Sequence, residues 1–302
     1  MNYKNGKIYL DEKNQYNNFM SINNTDYELI VLDPYNPTGK GSNSSVYKLV
    51  SDEENEDLVI KFCNSPCKEY DDSADDRIAM FKREVEALKI AEKKKINNII
   101  KIFFVGCQKI NNKYFMFYVM EYAKSDLKEY LKGKELTIQQ KILICYDILQ
   151  AVENLHNLNI YHRDIKPDNF LLVGDNWKIG DLGLIAFRGK DTEDIKYKKM
   201  IGPKGFMSPE ATNRFYVNLE NMSCEIDCQI DEKSDIFQLG KLFWYILQGD
   251  VPTGQLTAED FKLDDKFFNN ILIPMLQYSK ARRSDINTLK KSFVPIRKDN
   301  GL

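Results

Sequence analysis

Tyr161-His162-Arg163-Asp164-Ile165-Lys166-Pro167-Asp168-Asn169 is the stretch whose reading decides the fold. It sets a carboxylate, an ammonium and a carboxamide within six residues, on a segment stiffened by a proline. Phosphoryl transfer needs such a set. Asp164 would orient an acceptor hydroxyl and take its proton, Lys166 would offset charge on the moving group, and Asn169 would hold a metal ion.

Outward from this stretch, the N-terminal part reads as strands and the C-terminal part as helices. Leu29-Ile30-Val31-Leu32, residues 45–50, Leu58-Val59-Ile60-Lys61-Phe62, 99–107 and 114–120 are five apolar strands, the last two joined by an Asn111-Asn112 turn. The acidic residues 52–57 read as a hairpin tip. Ile78, Phe81, Val85 and Leu88 recur at helical spacing after the strand that carries Lys61. Residues 125–131, 138–158, 233–248 and 267–277 read as helices, and 171–173 with 177–179 as a hairpin. A strand-rich front and a helix-rich back predict an α+β architecture. Residues 1–27 are Asn-rich and weakly patterned, and are expected to be an extension with little core of its own.

Gly39-Lys40-Gly41-Ser42-Asn43-Ser44-Ser45-Val46 lies between the first two strands. A strand follows it, not a helix, which excludes a dinucleotide-binding reading. Asp181-Leu182-Gly183 follows the 171–179 hairpin, Ser208-Pro209-Glu210 lies further on, and Asp235 begins an apolar helix.

Together these segments resemble the Hanks-type serine/threonine protein kinase family, in order, over residues 28–294. The resemblance implies two lobes: a five-stranded antiparallel N-lobe with one helix (28–120), a hinge (121–123), and a mainly helical C-lobe (124–294), leaving 295–302 as a short tail. It implies ATP in the cleft between them, with Mg²⁺, or Mn²⁺, on Asn169 and Asp181. Gly39, Gly41 and Ser44 would lie over the phosphates, Ser44 standing where the family has its third glycine. Val46, Val59 and Met120 would flank the adenine, with Leu171 below it. Glu121 and Ala123 would offer it backbone groups, and Asp126 would reach the ribose. Lys61 would grip phosphate while paired with a helix glutamate; of Glu84 and Glu86, Glu84 fits the buried face set by Phe81, Val85 and Leu88.

Glu210 would pair with Arg283, Asp235 would accept backbone N–H groups of the catalytic loop, and His156 would be a core histidine. Lys166 followed by Pro167 matches serine/threonine enzymes better than tyrosine enzymes. Pro203 replaces a threonine whose hydroxyl often joins the catalytic pair, so one supporting hydrogen bond is lost. A catalytically weak or silent kinase-fold scaffold that binds nucleotide is the alternative, and a small-molecule kinase a second. Between 181 and 207 Thr192 is the only serine or threonine, a candidate phosphate site for Arg163 to meet.

Composition sets the outer bounds. The 302 residues are 43% hydrophobic and 29% charged, with net charge −2, which gives no electrostatic argument for nucleic acid or membrane partners. Protein substrates are the expected partners. Six cysteines, two pairs of them spaced C-x3-C (Cys63/Cys67 and Cys224/Cys228), admit a four-thiolate zinc site; free thiols in a reducing, cytoplasmic setting are the reading adopted.

Overall fold

The computed structural model describes residues 1–39, 41, 43–52, 57–67, 75–190, 201–216, 226–254, 256–263 and 265–302. Most of the expected hairpin tip, Lys40 and Ser42 of the glycine-rich stretch, Thr192 and Cys224 lie outside them. The chain divides into two compact units, Met1–Ala123 and Lys124–Leu302. The architecture is α+β, with the strands concentrated in the first unit and the helices in the second.

In the first unit, β1 (Asn2–Lys4) and β2 (Lys7–Tyr9) form a hairpin. Then β3 (Phe19–Ile22), β4 (Thr25–Val31), β5 (Ser44–Val50), β6 (Leu58–Cys63), β7 (Ile102–Ile110) and β8 (Lys113–Glu121) build one antiparallel sheet, ordered β3-β4-β5-β6-β8-β7. The helix α1 (Asp76–Lys93) is capped by the Asp75 carboxylate, which accepts from the Arg77 N–H. Its buried face is Ile78, Phe81, Glu84, Val85, Ala87, Leu88 and Ala91, as the apolar spacing predicts.

Among the described residues the expected five-stranded sheet has six strands, with the β1–β2 hairpin besides, and the N-terminal residues are not a coreless extension. Met20 and Ile22 point inward from β3, Asn23 and Asn24 turn the chain with φ of 51° and 69°, and Tyr27 enters the same core. Asn5 and Gly6 make the other turn at 52° and 74°. Both pairs suit a two-residue hairpin, which requires positive φ at both turn positions. Ile8 of β2 is fully buried against a core that includes Leu29, Tyr47, Leu49, Ile60 and Phe115. The Ile8 N–H faces Ser45 Oγ at 3.3 Å and Asn64 Oδ1 at 3.4 Å, and its carbonyl accepts from the Tyr47 hydroxyl at 2.5 Å. Lys7 Nζ donates to Thr38 Oγ1 at 3.2 Å.

The second unit begins with β9 (Ser125–Asp126) and α2 (Leu127–Lys132), then α3 (Ile138–Asn157), opened by a Thr137/Gln140 capping box. Next come β10 (Ile160–Tyr161), the hairpin β11 (Phe170–Val173) and β12 (Asn176–Ile179), and β13 (Ala186–Phe187), which pairs with β10. The helix α4 (Pro209–Tyr216) starts on proline, and α5 (Glu232–Gln248) starts on an Asp231/Ser234 capping box and stops at Gly249 with φ of 91°. Most of α5 is buried, so it is the scaffold of this unit.

One helical expectation is corrected here, and the end of the chain adds a helix that the sequence reading did not include. Residues 267–277 are not one helix but α6 (Asp265–Phe267), a π-helical turn (Phe268–Leu272) and α7 (Ile273–Met275). Pro274 has no N–H to return to the carbonyl four residues back, which favours the wider turn beside it. The short tail expected at 295–302 holds the last part of α8 (Ile286–Asp299), which continues past Pro295 and buries Ile296. No helix among the described residues is long and apolar enough to cross a membrane.

Candidate active site

In the first unit the site is built on β6. Lys61 pairs in register with Val46 on β5 and Tyr118 on β8, so it lies mid-sheet rather than at an edge. A buried ammonium needs a partner. Its Nζ meets Glu84 Oε1 of α1 at 2.8 Å, and the Tyr118 hydroxyl donates to the same oxygen at 3.1 Å. Both ends of the pair are buried, whereas Glu86 is exposed, which decides between the two glutamates. A buried pair of this kind contributes little net stability but fixes where the lysine points.

The glycine-rich stretch closes through Val46 N–H to Thr38 O at 3.2 Å. Gly39 has φ of 81°, a region that side chains disfavour, and a Cβ there would touch Val46. Gly41 has Ser44 Oγ beside it, and Ser44 begins β5 opposite Cys63. Val59 and Met120 are buried and face each other across β6 and β8, and Val46 is half-buried. The Glu121 N–H donates to Lys101 O at 3.1 Å, so this donor is engaged within the unit. Ala123 is the unit's last residue.

In the second unit the catalytic stretch is held from α5. The Asp235 carboxylate, fully buried, accepts the N–H groups of His162 at 2.7 Å and Arg163 at 2.8 Å, and meets His156 Nε2 at 2.8 Å. His156 is therefore a ligand of Asp235 and not simply a core residue. These bonds support Arg163 at φ of 67°, a conformation that costs a non-glycine residue about 1–2 kcal/mol. One turn along α5, Gln238 Oε1 accepts the Ile165 N–H at 2.8 Å and Gln238 Nε2 donates to Arg163 O at 3.2 Å.

Asp164 Oδ2 then accepts from Lys166 Nζ and from Asn169 Nδ2, each at 2.9 Å, and Asn169 Nδ2 also donates to Asp164 O at 2.7 Å. Asn169 thus uses its amide hydrogens on Asp164 and keeps its side-chain oxygen for another partner. The Asp164 N–H donates to His162 Nδ1 at 3.2 Å. Burial lowers the proton affinity of His162, outweighing Asp235, Asp164 and Asp181, whose charges act the other way. With Nδ1 accepting, the neutral ring is the tautomer protonated on Nε2, and the ring stacks on Phe170.

Asp181 follows β12, and the Gly180 N–H donates to Asn169 O at 2.9 Å, which ties the start of the Asp181 segment to Asn169. A Cβ at Gly180 would fall 2.3 Å from Leu171 Cδ1, so the Leu171 side chain would have to move to admit one. Asp181 Oδ1 accepts the Gly183 N–H at 2.9 Å. Oxygen donors from one amide and one carboxylate suit a hard divalent cation that keeps several waters. Asp126 pairs with Leu171 across β9 and β11, and its Oδ1 caps α2 through the Glu129 N–H at 2.9 Å. No group of three His, Cys, Asp or Glu side chains among the described residues could hold a metal ion, and Cys63 and Cys67 are free thiols.

Glu210 and Arg283 form the predicted buried pair. Arg283 Nη1 meets Glu210 Oε1 at 2.9 Å, Nη2 meets Oε2 at 3.3 Å, and the Ser234 hydroxyl donates to Oε1 at 2.6 Å. Burial pushes the Glu210 carboxyl up, but the hydrogen bonds and charge of Arg283, with Ser234, outweigh it and hold the group below the ordinary carboxylate range. Three contributors escaped the sequence reading: Tyr118, Ser234 and Gln238. Tyr118 was accessible through strand register, and Gln238 as a polar residue one turn beyond Asp235 in an apolar helix.

A family model described as protein kinase domain matches residues 34–294. The chain is 24% identical over 257 residues to the mouse (Mus musculus) dual specificity protein kinase TTK, covering 85% of this chain and 28% of that protein. It is 29% identical over 221 residues to the Schizosaccharomyces pombe serine/threonine-protein kinase mph1, covering 72% and 31%. To the Saccharomyces cerevisiae serine/threonine-protein kinase MPS1 it is 26% identical over 249 residues, covering 80% and 30%. The chain spans less than a third of the length of each of these curated relatives. With most of its length matched, and the motif residues assembled as described, this chain belongs to the Hanks-type protein kinase family.

Proposed function

We propose that the chain is a protein kinase that transfers the γ-phosphoryl group of ATP to serine or threonine hydroxyls of protein substrates. The observation that carries this reading is the Asp164 carboxylate, held by Lys166 and Asn169 on a loop anchored to α5. Asp164 accepts a hydrogen bond from the substrate hydroxyl and takes its proton as the new P–O bond forms and the bond to ADP breaks. Lys166, beside it, offsets charge on the transferring group. In the first unit Lys61, braced by Glu84, grips phosphate, Gly39, Gly41 and Ser44 cover the phosphates, and Val46, Val59, Met120, Glu121 and Ala123 contact the base. In the second, Leu171 contacts the base and Asp126 the ribose, its other carboxylate oxygen capping α2. Asn169 and Asp181 would hold Mg²⁺ or Mn²⁺, which when bound would supply positive charge to offset that of the phosphates. A cytoplasmic setting suits the free thiols Cys63, Cys67, Cys107, Cys145 and Cys228.

The test is transfer of radiolabel from Mg-ATP to a protein mixture, followed by phosphoamino-acid analysis. Asp164→Asn should keep nucleotide binding and lose most transfer; Asp181→Asn should lose metal-dependent nucleotide binding as well. Normal transfer by both variants would sink the mechanism, and a product dominated by phosphotyrosine would sink the assigned acceptor.

A further inference from the structure

We infer that Gln238 is a positioning residue for phosphoryl transfer: a single buried carboxamide that sets the backbone angles of Asp164. The inference rests on the kinase reading above and goes beyond it. The Arg163 carbonyl belongs to the peptide plane before the Asp164 Cα, and the Ile165 N–H belongs to the plane after it. Gln238 holds both, donating to Arg163 O at 3.2 Å and accepting from Ile165 N–H at 2.8 Å. Peptide planes are rigid, so the only soft angles between these two are φ and ψ of Asp164. Fixing both planes fixes the direction of its Cα–Cβ bond, and with it the carboxylate.

Each plane has a second anchor. The Asp164 N–H, in the first plane, donates to His162 Nδ1, and the Asp164 carbonyl, in the second, accepts from Asn169 Nδ2. Gln238 is the one side chain among these that spans both planes. It is wholly buried, so water does not compete for either bond. Gly202 makes room for it: a Cβ there would stand 3.0 Å from Gln238 Nε2. The neighbouring Pro203 has no hydroxyl to offer the catalytic pair.

The test compares the unmodified chain with Gln238→Met, which keeps the side-chain length and removes both hydrogen bonds. Displacing a reacting group by about 1 Å costs on the order of a hundredfold, so kcat should fall about tenfold to a hundredfold. KM and Kd for Mg-ATP should stay within about twofold, because Asp164 acts on the acceptor hydroxyl and not on nucleotide binding. A role confined to stability would lower the melting temperature and leave the kcat of the folded fraction unchanged. A Gln238→Met kcat within about twofold of the unmodified value would overturn the inference while leaving the kinase reading intact. Should Gln238→Met fail to fold, hydrogen exchange on the unmodified protein decides. The Ile165 amide should exchange as slowly as the interior amides of α5, and fast exchange would overturn the inference. An unmodified chain that transfers no phosphate overturns both readings together.

Discussion

Replacing Arg283 by methionine removes the cation from a pair with no exposed surface to relax into. The Arg283 side chain is 0% exposed and that of Glu210 is 2%. Besides Glu210, Arg283 donates to the carbonyls of Gln277 at 3.0 Å, Lys233 at 2.6 Å and Tyr278 at 3.2 Å, so it closes the chain around the start of α5. Removing one member of a buried pair costs about 3–5 kcal/mol, because the other charge stays behind unpaired. With a urea slope of about 3 kcal/mol/M, the unfolding midpoint should drop by more than about 1 M. Arg283→Lys restores the charge but not the fork that meets two oxygens at once, and should recover only part of the loss. Removing both members, in Glu210→Gln/Arg283→Met, should be milder than Arg283→Met alone. The pH dependence has a definite sign. A carboxyl held below its unfolded value contributes stability above about pH 4.3, and this contribution is lost as pH falls through the folded value. The gap between the unmodified chain and the double variant should therefore close in acid. A midpoint for Arg283→Met within about 0.2 M of the unmodified value would refute the assignment of this pair as a structural clamp.

Two further perturbations address the first unit. Lys61→Met leaves the Glu84 carboxylate without its ammonium and should lose both transfer and about 3–5 kcal/mol of stability; adding Glu84→Leu should recover stability in thermal melts but not transfer. Ile8→Ala removes a fully buried side chain from the sheet core and should cost about 2–5 kcal/mol by chemical denaturation, whereas an extension with no core would tolerate it.

What could be read in the sequence was what lies close together in it. Asp164, Lys166 and Asn169 lie within six residues, and their mutual bonds close within that span. Glu84 could be preferred over Glu86 because helical spacing already marked the buried face. The N-terminal strands were obscured by composition. Asn5-Gly6 and Asn23-Asn24 are strong hairpin turns, but they sit in an Asn-rich background where such pairs lose contrast, and β1, β2 and β3 beside them are only three or four residues long. Asp235 was recognised by resemblance, whereas Gln238 was not, since its partners lie 73 and 75 residues away and only the folded backbone brings them to α5. The run through Pro295 was missed because a proline's lost hydrogen bond is visible in sequence and the burial of Ile296 that offsets it is not.

The short β2 strand has a bearing on where this molecule can be cut. Lys7 is bonded to Thr38 on one side of the glycine-rich stretch, and Ile8 to Ser45 and Tyr47 on the other. Recognisable family pattern begins only at residue 34. A fragment trimmed to that limit would keep every motif and lose β1 to β4, among them the β2 strand at the base of the glycine-rich turn, uncovering Tyr47 and leaving Ser45 and Asn64 with one fewer partner. Pattern and burial thus draw different borders for the same unit, and a fragment meant to behave like the whole should follow burial.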